Sequence, residues 1–229
     1  MRNFKLMILA AGYGKRMKNL TKHVPKPLLR IQNTTLLTNA IYFFKNLGCD
    51  KFIINSHYMH DMIENYINLN HSKENINLLY EPEILDTGGA IKNAKEYFES
   101  ENILITNSDI YWTKNNIQDV KNFIDKIHQC ESYYLLLSSK KNTIGIDRLN
   151  GDFVIENNYV KRWEEGKPTF FYSGLQILNP KIFYNIEDIK FSVNMIWDEL
   201  ILQKKLKAKV LKTKLIHVGD IKTFNNIIS

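Results

Sequence analysis

The sequence predicts an α/β fold, in which helices flank an open, mixed and mostly parallel sheet. Two observations indicate this. Short apolar runs alternate with amphipathic helical segments through residues 1–110, which is the pattern of successive strand–helix–strand units. The chain has 229 residues, 44% of them hydrophobic and 24% charged, which suffices for one good core but not for two large ones. We therefore expect residues 1–229 to form a single domain.

Residues 1–110 contain four predicted strands and three predicted helices. The strands span 4–11, 51–57, 76–81 and 102–109, and the helices span 34–48, 58–68 and 88–98. Thr34 or Thr35 can cap the first helix, and Gly48 can end it. This Rossmann-like order predicts a nucleotide-binding half whose ligand lies beyond the carboxyl ends of the strands.

Residues 111–229 are less regular. The pattern predicts helices over 117–130 and 195–206 and strands over 133–139 and 169–178. Residues 151–163 read as a hairpin that turns at Asn157 and Asn158. Extended segments over 208–213 and 215–219 complete the predicted elements, and Trp163 and Trp197 are expected in the core. No linker or hexapeptide repeat is present, so we expect no appended β-helix domain.

Charge is distributed unevenly along the chain. Residues 1–49 contain no Asp or Glu, yet they carry nine cations: Arg2, Lys5, Lys15, Arg16, Lys18, Lys22, Lys26, Arg30 and Lys45. The net charge of +7 could suggest nucleic acid, but no basic stripe is interleaved with aromatic residues, so we expect no nucleic-acid partner. A local cluster of cations without carboxylates instead favours a small polyanionic ligand.

The compartment is predicted from what the sequence lacks. No apolar run approaches the roughly 20 residues of a membrane helix, and the N-terminal segment has no signal-peptide cleavage pattern. Cys49 and Cys130 suit a reducing compartment and have no metal-binding spacing. We therefore expect a cytoplasmic protein without a membrane partner.

The segment Gly12–Met17, "GYGKRM", is the predicted phosphate-binding turn. Glycines allow backbone N–H groups to approach phosphate oxygens, and Arg16 can bind two such oxygens at once. The dinucleotide fingerprint is not met, because Met17 stands at the third glycine position, and the spacing also rules out a Walker loop. Further along, Pro25 and Pro27 flank Lys26, which predicts an extended, stiff segment that presents its ammonium.

Three motifs in order, "MILAAGYGKRM", "LTKHVPKPLL" and "TNSD", resemble those of the sugar-1-phosphate nucleotidyltransferases. "NSHY", "EILDTGGAI", "NGDF", "FYSGLQILNPKIF" and "LIHVG" extend the resemblance along nearly the whole chain. These later motifs are most similar to uridylyltransferases that act on N-acetylmuramate 1-phosphate in the recycling of cell-wall sugars. The resemblance implies a nucleotide-diphospho-sugar transferase fold, with residues 111–229 as a sugar-binding half.

The implied reaction joins a sugar 1-phosphate to a nucleoside triphosphate and releases pyrophosphate. The resemblance assigns catalysis to Arg16, Lys26 and Asp109. It assigns nucleotide binding to Leu9, Ala11, Gly12, Tyr13, Gly14, Lys26, Glu81, Gly88 and Asn107, and sugar binding to Gly151, Asp152 and Ser173. The phosphate of the sugar is largely dianionic at pH 7, so it requires positioning and charge neutralisation rather than a general base.

Magnesium is the implied cofactor, with Asp109 as its ligand at the end of a strand. Many relatives carry a second metal-binding Asp where this chain has His217, and imidazole suits Mg²⁺ poorly. Three interpretations stay open: one protein ligand with water, a contact between His217 and phosphate, or impaired activity. Asp220 could alternatively supply the second carboxylate.

The substrates are predicted less firmly than the reaction. We expect UTP and an amino-sugar phosphate, but the carboxylate of Glu81 could accept a hydrogen bond from uracil or from guanine. A guanylyl- or cytidylyltransferase acting on mannose 1-phosphate, another hexose phosphate or phosphocholine is the alternative within this class. A nucleotide-binding regulatory protein without turnover is the alternative from another class. The sequence does not predict the oligomeric state.

Overall fold

A computed structural model describes residues 3–99 and 101–228 of the chain. A nine-stranded sheet contains β1 (Phe4–Leu9), β4 (Cys49–Ser56), β5 (Ile76–Tyr80), β6 (Ile103–Asn107), β7 (Tyr134–Ser139), β9 (Phe153–Glu156), β10 (Tyr159–Arg162), β11 (Phe170–Leu178) and β12 (Lys207–Leu211). Two small sheets pair β2 (Arg30–Ile31) with β3 (Thr34–Thr35) and β8 (Thr143–Ile144) with β13 (Leu215–Ile216). The fold is thus mixed α/β, as predicted.

The described residues form six α-helices: α1 (Leu36–Lys45), α2 (His60–Asn70), α3 (Asp86–Ala94), α4 (Ile117–Ile124), α5 (Val193–Leu202) and α6 (Ile221–Ile228). Shorter 3₁₀ turns span Lys15–Thr21, Lys26–Leu28, Lys95–Phe98, Lys114–Asn116, Asp125–His128, Lys140–Asn142 and Pro180–Phe183. Thr35 caps α1, because its hydroxyl accepts a hydrogen bond from the amide of Thr38. No helix in the described part of the chain is long and apolar enough to cross a membrane.

The order of the main sheet is β5-β4-β1-β6-β11-β7-β12-β10-β9, with a further contact between β11 and β9. Strands β5, β4, β1 and β6 are parallel to one another, as predicted. The expectation of a mostly parallel sheet is wrong beyond β6. There β11 pairs antiparallel with both β6 and β7, and β10 pairs antiparallel with β9 and β12, so only β7 and β12 are parallel. Of these antiparallel pairs, only β9 with β10 is a short hairpin, whereas β11 pairs with strands that are distant in the chain.

Two hydrophobic layers cover the sheet. On one face of the sheet, apolar side chains of β1, β4 and β6 pack against α1, α2 and α4. On the other face, apolar side chains of the same strands pack against α3 and α5. A third cluster, which includes Met17, Leu36 and Phe224, packs α6 against the segment that follows β1. The core therefore holds the loops at the carboxyl ends of the parallel strands on a rigid frame.

The predicted strands and helices are confirmed with shifts of a few residues at their ends, but the short strands β2, β3 and β8 and helix α6 were missed. The hairpin turns at Asn157 and Asn158, both with positive φ (51° and 69°), as a two-residue turn requires. Helix α6 was not predicted. Its signal was present in Asp220, whose carboxylate accepts a hydrogen bond from the amide of Thr223, and in the apolar residues that follow at helical spacing.

Candidate active site

Two adjoining cavities open at the carboxyl ends of β1, β4 and β6. The first, about 350 Å³, is bounded by the Gly12–Arg16 loop, Lys26, Glu81 and Asp109. The second, about 650 Å³, is bounded by residues that follow β7, by the middle of β11 and by the start of α5. Both cavities share five lining residues: Leu9, Arg16, Asp86, Thr87 and Asn107. The two cavities therefore form one continuous cleft, which lies where ligands bind in open α/β sheets.

The loop after β1 brings backbone and cations to the first cavity. Gly14 has a positive φ of 65°, and a Cβ there would lie 2.9 Å from the Thr21 side chain and 3.1 Å from Lys26, so only glycine fits. Gly12 is different, because a Cβ at this position would meet no atom within 4 Å. Its bare backbone faces open space beside Lys15 and Arg16, which line the same cavity.

Lys26 lies on a turn rather than in an extended segment. Pro25 is extended, but Lys26–Leu28 forms a 3₁₀ turn in which the amide of Leu28 donates to the carbonyl of Pro25 over 2.9 Å. The expectation of an extended Lys26 is thus wrong, since the turn's hydrogen bond outweighs the preference imposed by Pro27. The turn buries Lys26, which is 9% exposed, and its ammonium Nζ lies 2.6 Å from Asp109 Oδ2.

Asp109 follows β6 and is the most strongly perturbed carboxylate in the cleft. Burial alone would raise the pKa of the Asp109 carboxyl, but the charges of Lys26 and His217 hold that pKa well below its usual range. The carboxylate is therefore ionised at neutral pH. The ion pair of Asp109 with Lys26 joins two segments that are 83 residues apart in the chain, and both residues line the first cavity.

His217 also approaches Asp109. Its Nε2 lies 3.3 Å from Asp109 Oδ2, and its Nδ1 lies 3.3 Å from the carbonyl oxygen of Gly145. A carbonyl oxygen only accepts, so Nδ1 carries a proton, and a second proton on Nε2 would make the ring a cation that donates to both neighbours. Asp220 lines the second cavity, and its carboxylate caps α6. The amide of Thr223 that donates to Asp220 lowers the pKa of this carboxyl.

The residues at the end of β6 fit a Mg²⁺ ion held by one carboxylate. Asp109 Oδ1 is buried and accepts no hydrogen bond from the described residues, whereas Oδ2 contacts Lys26 and His217. No group of three or more His, Cys, Asp or Glu side chains converges within residues 3–99 and 101–228. One carboxylate supplemented by substrate phosphates and water is a common Mg²⁺ environment, so the donor set is compatible with the ion.

Glu81 forms the buried floor of the first cavity and is 1% exposed. Its Oε1 accepts from Asn55 Nδ2 over 2.7 Å, and its Oε2 accepts from the amide of Leu85 over 3.2 Å. Asn55 Oδ1 in turn accepts from the amide of Ala10. Burial raises the pKa of Glu81, and the hydrogen bonds from Asn55 and Leu85 oppose that rise. This network fixes the shape of the cavity between β1 and the residues after β5.

Tyr13 lies at the rim and is 43% exposed. Its hydroxyl lies 3.2 Å from His57 Nε2, and His57 Nδ1 lies 2.7 Å from the carbonyl oxygen of Glu81. Since that carbonyl can only accept, Nδ1 donates to it, and Nε2 is left as the hydrogen-bond partner of the Tyr13 hydroxyl. His57 therefore links the rim to the floor of the cavity without lining it.

The structure brings most of the predicted site residues together. Leu9, Ala11, Gly12, Gly14, Arg16, Lys26, Glu81, Asn107 and Asp109 line the first cavity, and Asp152, His217 and Asp220 line the second. Four predicted residues line neither cavity: Tyr13, Gly88, Gly151 and Ser173. A Cβ at Gly88 would overlap the Phe191 ring at 2.3 Å, so this glycine allows α3 to pack closely against the segment before α5.

Several cleft residues were missed by sequence reasoning. Asp86 and Thr87 at the start of α3 line both cavities, and Asp86 has a positive φ of 59°. A carboxylate at the first turn of a helix was the available signal for Asp86. Trp197 is buried, as predicted, and it also lines the second cavity together with Gln176. The expectation that Trp163 lies in the core is wrong, since this side chain is only half-buried on the hairpin. No local pattern pointed to Gln176, because its place depends on the pairing of β11.

Comparison with known proteins identifies the family. Residues 5–214 match the nucleotidyl transferase family. A D-glycero-alpha-D-manno-heptose 1-phosphate guanylyltransferase of Aneurinibacillus thermoaerophilus is 37% identical over 103 residues, which cover 45% of this chain and 45% of that protein. An N-acetylmuramate alpha-1-phosphate uridylyltransferase of Caulobacter vibrioides is 25% identical over 224 residues, covering 93% of this chain and 91% of that protein.

Solved structures show the same fold. The crystal structure of HddC from Yersinia pseudotuberculosis is 25% identical to this chain, covers 98% of both chains and superposes with a TM-score of 0.78. A second HddC structure, complexed with GMP-PN, is 26% identical, again covers 98% of both chains and has a TM-score of 0.76. Together with the glycine turn, Lys26 and Asp109 around one cleft, these matches show that the chain belongs to the nucleotidyl transferase family, among the sugar-1-phosphate nucleotidyltransferases.

Proposed function

We propose that the protein transfers a nucleotidyl group from a nucleoside triphosphate to a sugar 1-phosphate, with release of pyrophosphate. The observation that carries this proposal is the continuous cleft, whose two cavities share Arg16 and Asn107. The cationic first cavity suits the triphosphate, and the larger second cavity suits the sugar. An oxygen of the sugar phosphate then forms the new P–O bond to the α-phosphorus, while the bond to the β-phosphate breaks.

The side chains of the first cavity supply positioning and charge rather than acid–base chemistry. Backbone N–H groups at Gly12 and Gly14 can face the phosphates, and the Arg16 guanidinium can hold two phosphate oxygens. The Lys26 ammonium stabilises negative charge as a buried point charge close to Asp109. No general base is required, because the sugar phosphate is largely a dianion at pH 7.

Asp109 is the residue that would hold Mg²⁺ in this proposal. When bound there, the ion would neutralise charge on the reacting phosphates. His217 contacts the same Asp109 oxygen as Lys26, Oδ2, and either a phosphate contact or a purely electrostatic role suits its position at the second cavity. Asp220 is engaged in capping α6, which makes it a weaker candidate for a second ligand.

For the substrates we propose UTP and N-acetylmuramate 1-phosphate. The similarity to the Caulobacter vibrioides uridylyltransferase over 93% of this chain supports this choice. The second candidate is guanylyl transfer to a heptose 1-phosphate, which the similarity to the Aneurinibacillus thermoaerophilus guanylyltransferase and to HddC in complex with GMP-PN favours. Both reactions would occur where soluble nucleotides and sugar phosphates meet, and we place this one in the cytoplasm.

The test is pyrophosphate release measured with each of UTP, GTP, CTP and dTTP against a panel of sugar 1-phosphates. We expect one nucleotide to be preferred by tenfold or more in kcat/KM, since a site shaped around one base leaves polar groups unpaired with another, and each such group costs about 1–3 kcal/mol. A preference for GTP would reject the uridylyl proposal but keep nucleotidyl transfer. Nucleotide binding without any release of pyrophosphate would favour the non-catalytic alternative.

A further inference from the structure

The second cavity contains a buried amide whose donors have no partner. Gln176 lies on β11 and is 1% exposed, yet it lines this cavity. Its Nε2 makes no hydrogen bond within residues 3–99 and 101–228. A buried donor without a partner costs about 1–3 kcal/mol, so its retention calls for an explanation.

The orientation of this amide is fixed by Trp197. The indole Nε1 of Trp197 lies 2.8 Å from Gln176 Oε1. Because an indole N–H can only donate, the atom that faces it must be the amide oxygen, which assigns the other end of the amide as the NH₂ group. Trp197 thus determines that Gln176 offers two N–H donors, and no acceptor, to whatever occupies the cavity.

A second unpartnered group lies on the same strand. The hydroxyl of Tyr172 is buried and has no hydrogen-bond partner in the described part of the chain, and its ring packs edge-on against Trp197 with a centroid distance of 4.8 Å. Ser173 and Gly174 have no partner on β7, so the strand bulges between Tyr172 and Leu175. Bulges of this kind redirect side chains beside binding sites, and Tyr172, Gly174 and Gln176 all line the cavity.

We propose that Gln176 is a specificity-determining residue of the sugar site, and that its Nε2 donates to the carbonyl oxygen of an N-acyl group on the sugar. This inference rests on the function proposed above and names a contact for its sugar. An acyl carbonyl is a strong, uncharged acceptor, which matches two N–H donors in a buried place. The rings of Tyr172 and Trp197 and the side chain of Val193 offer an apolar wall for the acyl methyl group.

The acidic side chains of the cavity support an uncharged acceptor at this end. Asp152 is paired with Arg148 and also accepts from the amide of Tyr172 over 3.0 Å. Asp147 is paired with Lys222 at 2.9 Å. Of the two arginines that line the cavity, Arg148 is thus neutralised by Asp152, and Arg16 lies where the two cavities meet. A neutral carbonyl therefore suits the donors of Gln176 better than an anionic group.

The experiment compares Gln176→Met and Gln176→Glu with the wild type. Methionine has a similar length but no donor, and glutamate keeps an acceptor for Trp197 while replacing the NH₂ group. With N-acetylglucosamine 1-phosphate, we expect both variants to lose roughly tenfold or more in kcat/KM, as expected for one buried hydrogen bond. With glucose 1-phosphate the loss should be small. Gln118→Glu, on the exposed face of α4, is the matched control and should change neither value.

Binding measured by calorimetry separates this inference from the proposed function. We expect the wild type to bind N-acetylglucosamine 1-phosphate at least about tenfold more tightly than Gln176→Met does. The Kd for glucose 1-phosphate should be similar in the two proteins. With this result the assignment of Gln176 stands even without turnover. Equal losses for both sugars, or no binding of either sugar by the wild type, would overturn it. Absence of pyrophosphate release with any substrate would instead overturn the proposed function.

Trp197 is expected to act through Gln176, as a positioning residue. Trp197→Phe removes the indole donor and lets the amide rotate, so discrimination between the two sugars should fall. In the Gln176→Met background the same change should have little further effect on discrimination, because the two residues form one interacting pair. Additive effects of the two substitutions on the sugar preference would contradict the positioning role.

Discussion

At the scale of single residues, the ion pair of Lys26 with Asp109 dominates the cleft. The two charged groups lie 2.6 Å apart and both side chains are largely withdrawn from water. In such surroundings, the interaction of an ammonium with phosphate charge is weakly screened and therefore strong. With the proposed function, the absence of acids from residues 1–49 follows from the same charge balance, since a carboxylate near the Gly12–Arg16 loop would oppose a bound triphosphate.

Lys26→Ala should lower kcat by roughly a hundredfold or more, as is typical for loss of one group that stabilises transition-state charge. The KM for the triphosphate should rise less, because negative charge on the departing pyrophosphate grows only as the reaction proceeds. Steady-state kinetics at saturating sugar phosphate measure both effects. Lys22→Ala, at an exposed position of the same segment, is the control. If Lys26→Ala changed KM alone, Lys26 would be a binding residue only.

Glu81 gives the stability of the fold a pH dependence. Burial raises the pKa of Glu81 in the folded protein above the ordinary value of 4.5, which applies to the unfolded chain. At a pH between the pKa of the unfolded chain and that of the folded protein, the folded protein therefore holds a proton that the unfolded chain has released. The contribution of Glu81 to stability is therefore fully present below pH 4.5 and is lost as the pH rises through the pKa of the folded state.

Glu81→Gln should remove this dependence, since glutamine does not titrate. We expect the free energy of unfolding of the wild type to fall relative to that of Glu81→Gln as the pH rises from 4.5, as measured by urea denaturation at a series of pH values. A constant offset between the two proteins reflects the altered hydrogen bonds to Asn55 and Leu85. Glu83→Gln, at an exposed position nearby, should run parallel to the wild type. Parallel curves for Glu81→Gln would contradict the raised pKa.

At the scale of elements, the loop after β1 combines two glycines that serve different purposes. Gly14 is required by backbone geometry, because its φ is positive and its surroundings leave no room for a Cβ. Gly12 is under no such constraint and faces the cavity. The sequence shows only two glycines two positions apart, so their separate roles depend on the folded loop.

Alanine substitutions should separate the two roles. Gly14→Ala should lower the free energy of unfolding by about 1 kcal/mol or more through strain. Gly12→Ala should leave stability nearly unchanged but raise the KM for the triphosphate, because its methyl group would project toward the phosphates. Thermal unfolding and steady-state kinetics on both variants make the comparison. Normal kinetics in Gly12→Ala would remove this glycine from the phosphate site.

Elements with local signals were predicted well from the sequence, whereas features that depend on long-range pairing were not. The turn at Asn157 and Asn158 and the cap at Thr35 follow from local backbone chemistry. The turn at Lys26 differs from expectation because a hydrogen bond between Pro25 and Leu28 competes with the preference imposed by Pro27. The direction of β11 and the place of Gln176 depend on pairing with β6 and β7, which no local pattern encodes.

At the scale of the whole molecule, the two halves recognised in the sequence share one core. Strand β11 belongs to residues 111–229, yet it pairs with β6 from residues 1–110. Both large hydrophobic clusters combine side chains from the two halves, for example Leu6 with Leu175 in one and Met7 with Leu178 in the other. Separating the halves would expose apolar surface in both clusters, so neither half is expected to be stable alone.

This shared core predicts a single cooperative unfolding transition, and the tryptophans provide a sharp test. All three tryptophans, Trp112, Trp163 and Trp197, lie in residues 111–229, and Trp112 stacks on Phe43 of α1, so their fluorescence reports on that half and on its contact with residues 1–110. Far-UV circular dichroism reports on the helices and strands of both halves. In urea we expect the two signals to give the same midpoint and the same slope, as for one two-state unit. A fluorescence midpoint clearly separated from the dichroism midpoint would show that residues 1–110 and residues 111–229 unfold as distinct domains.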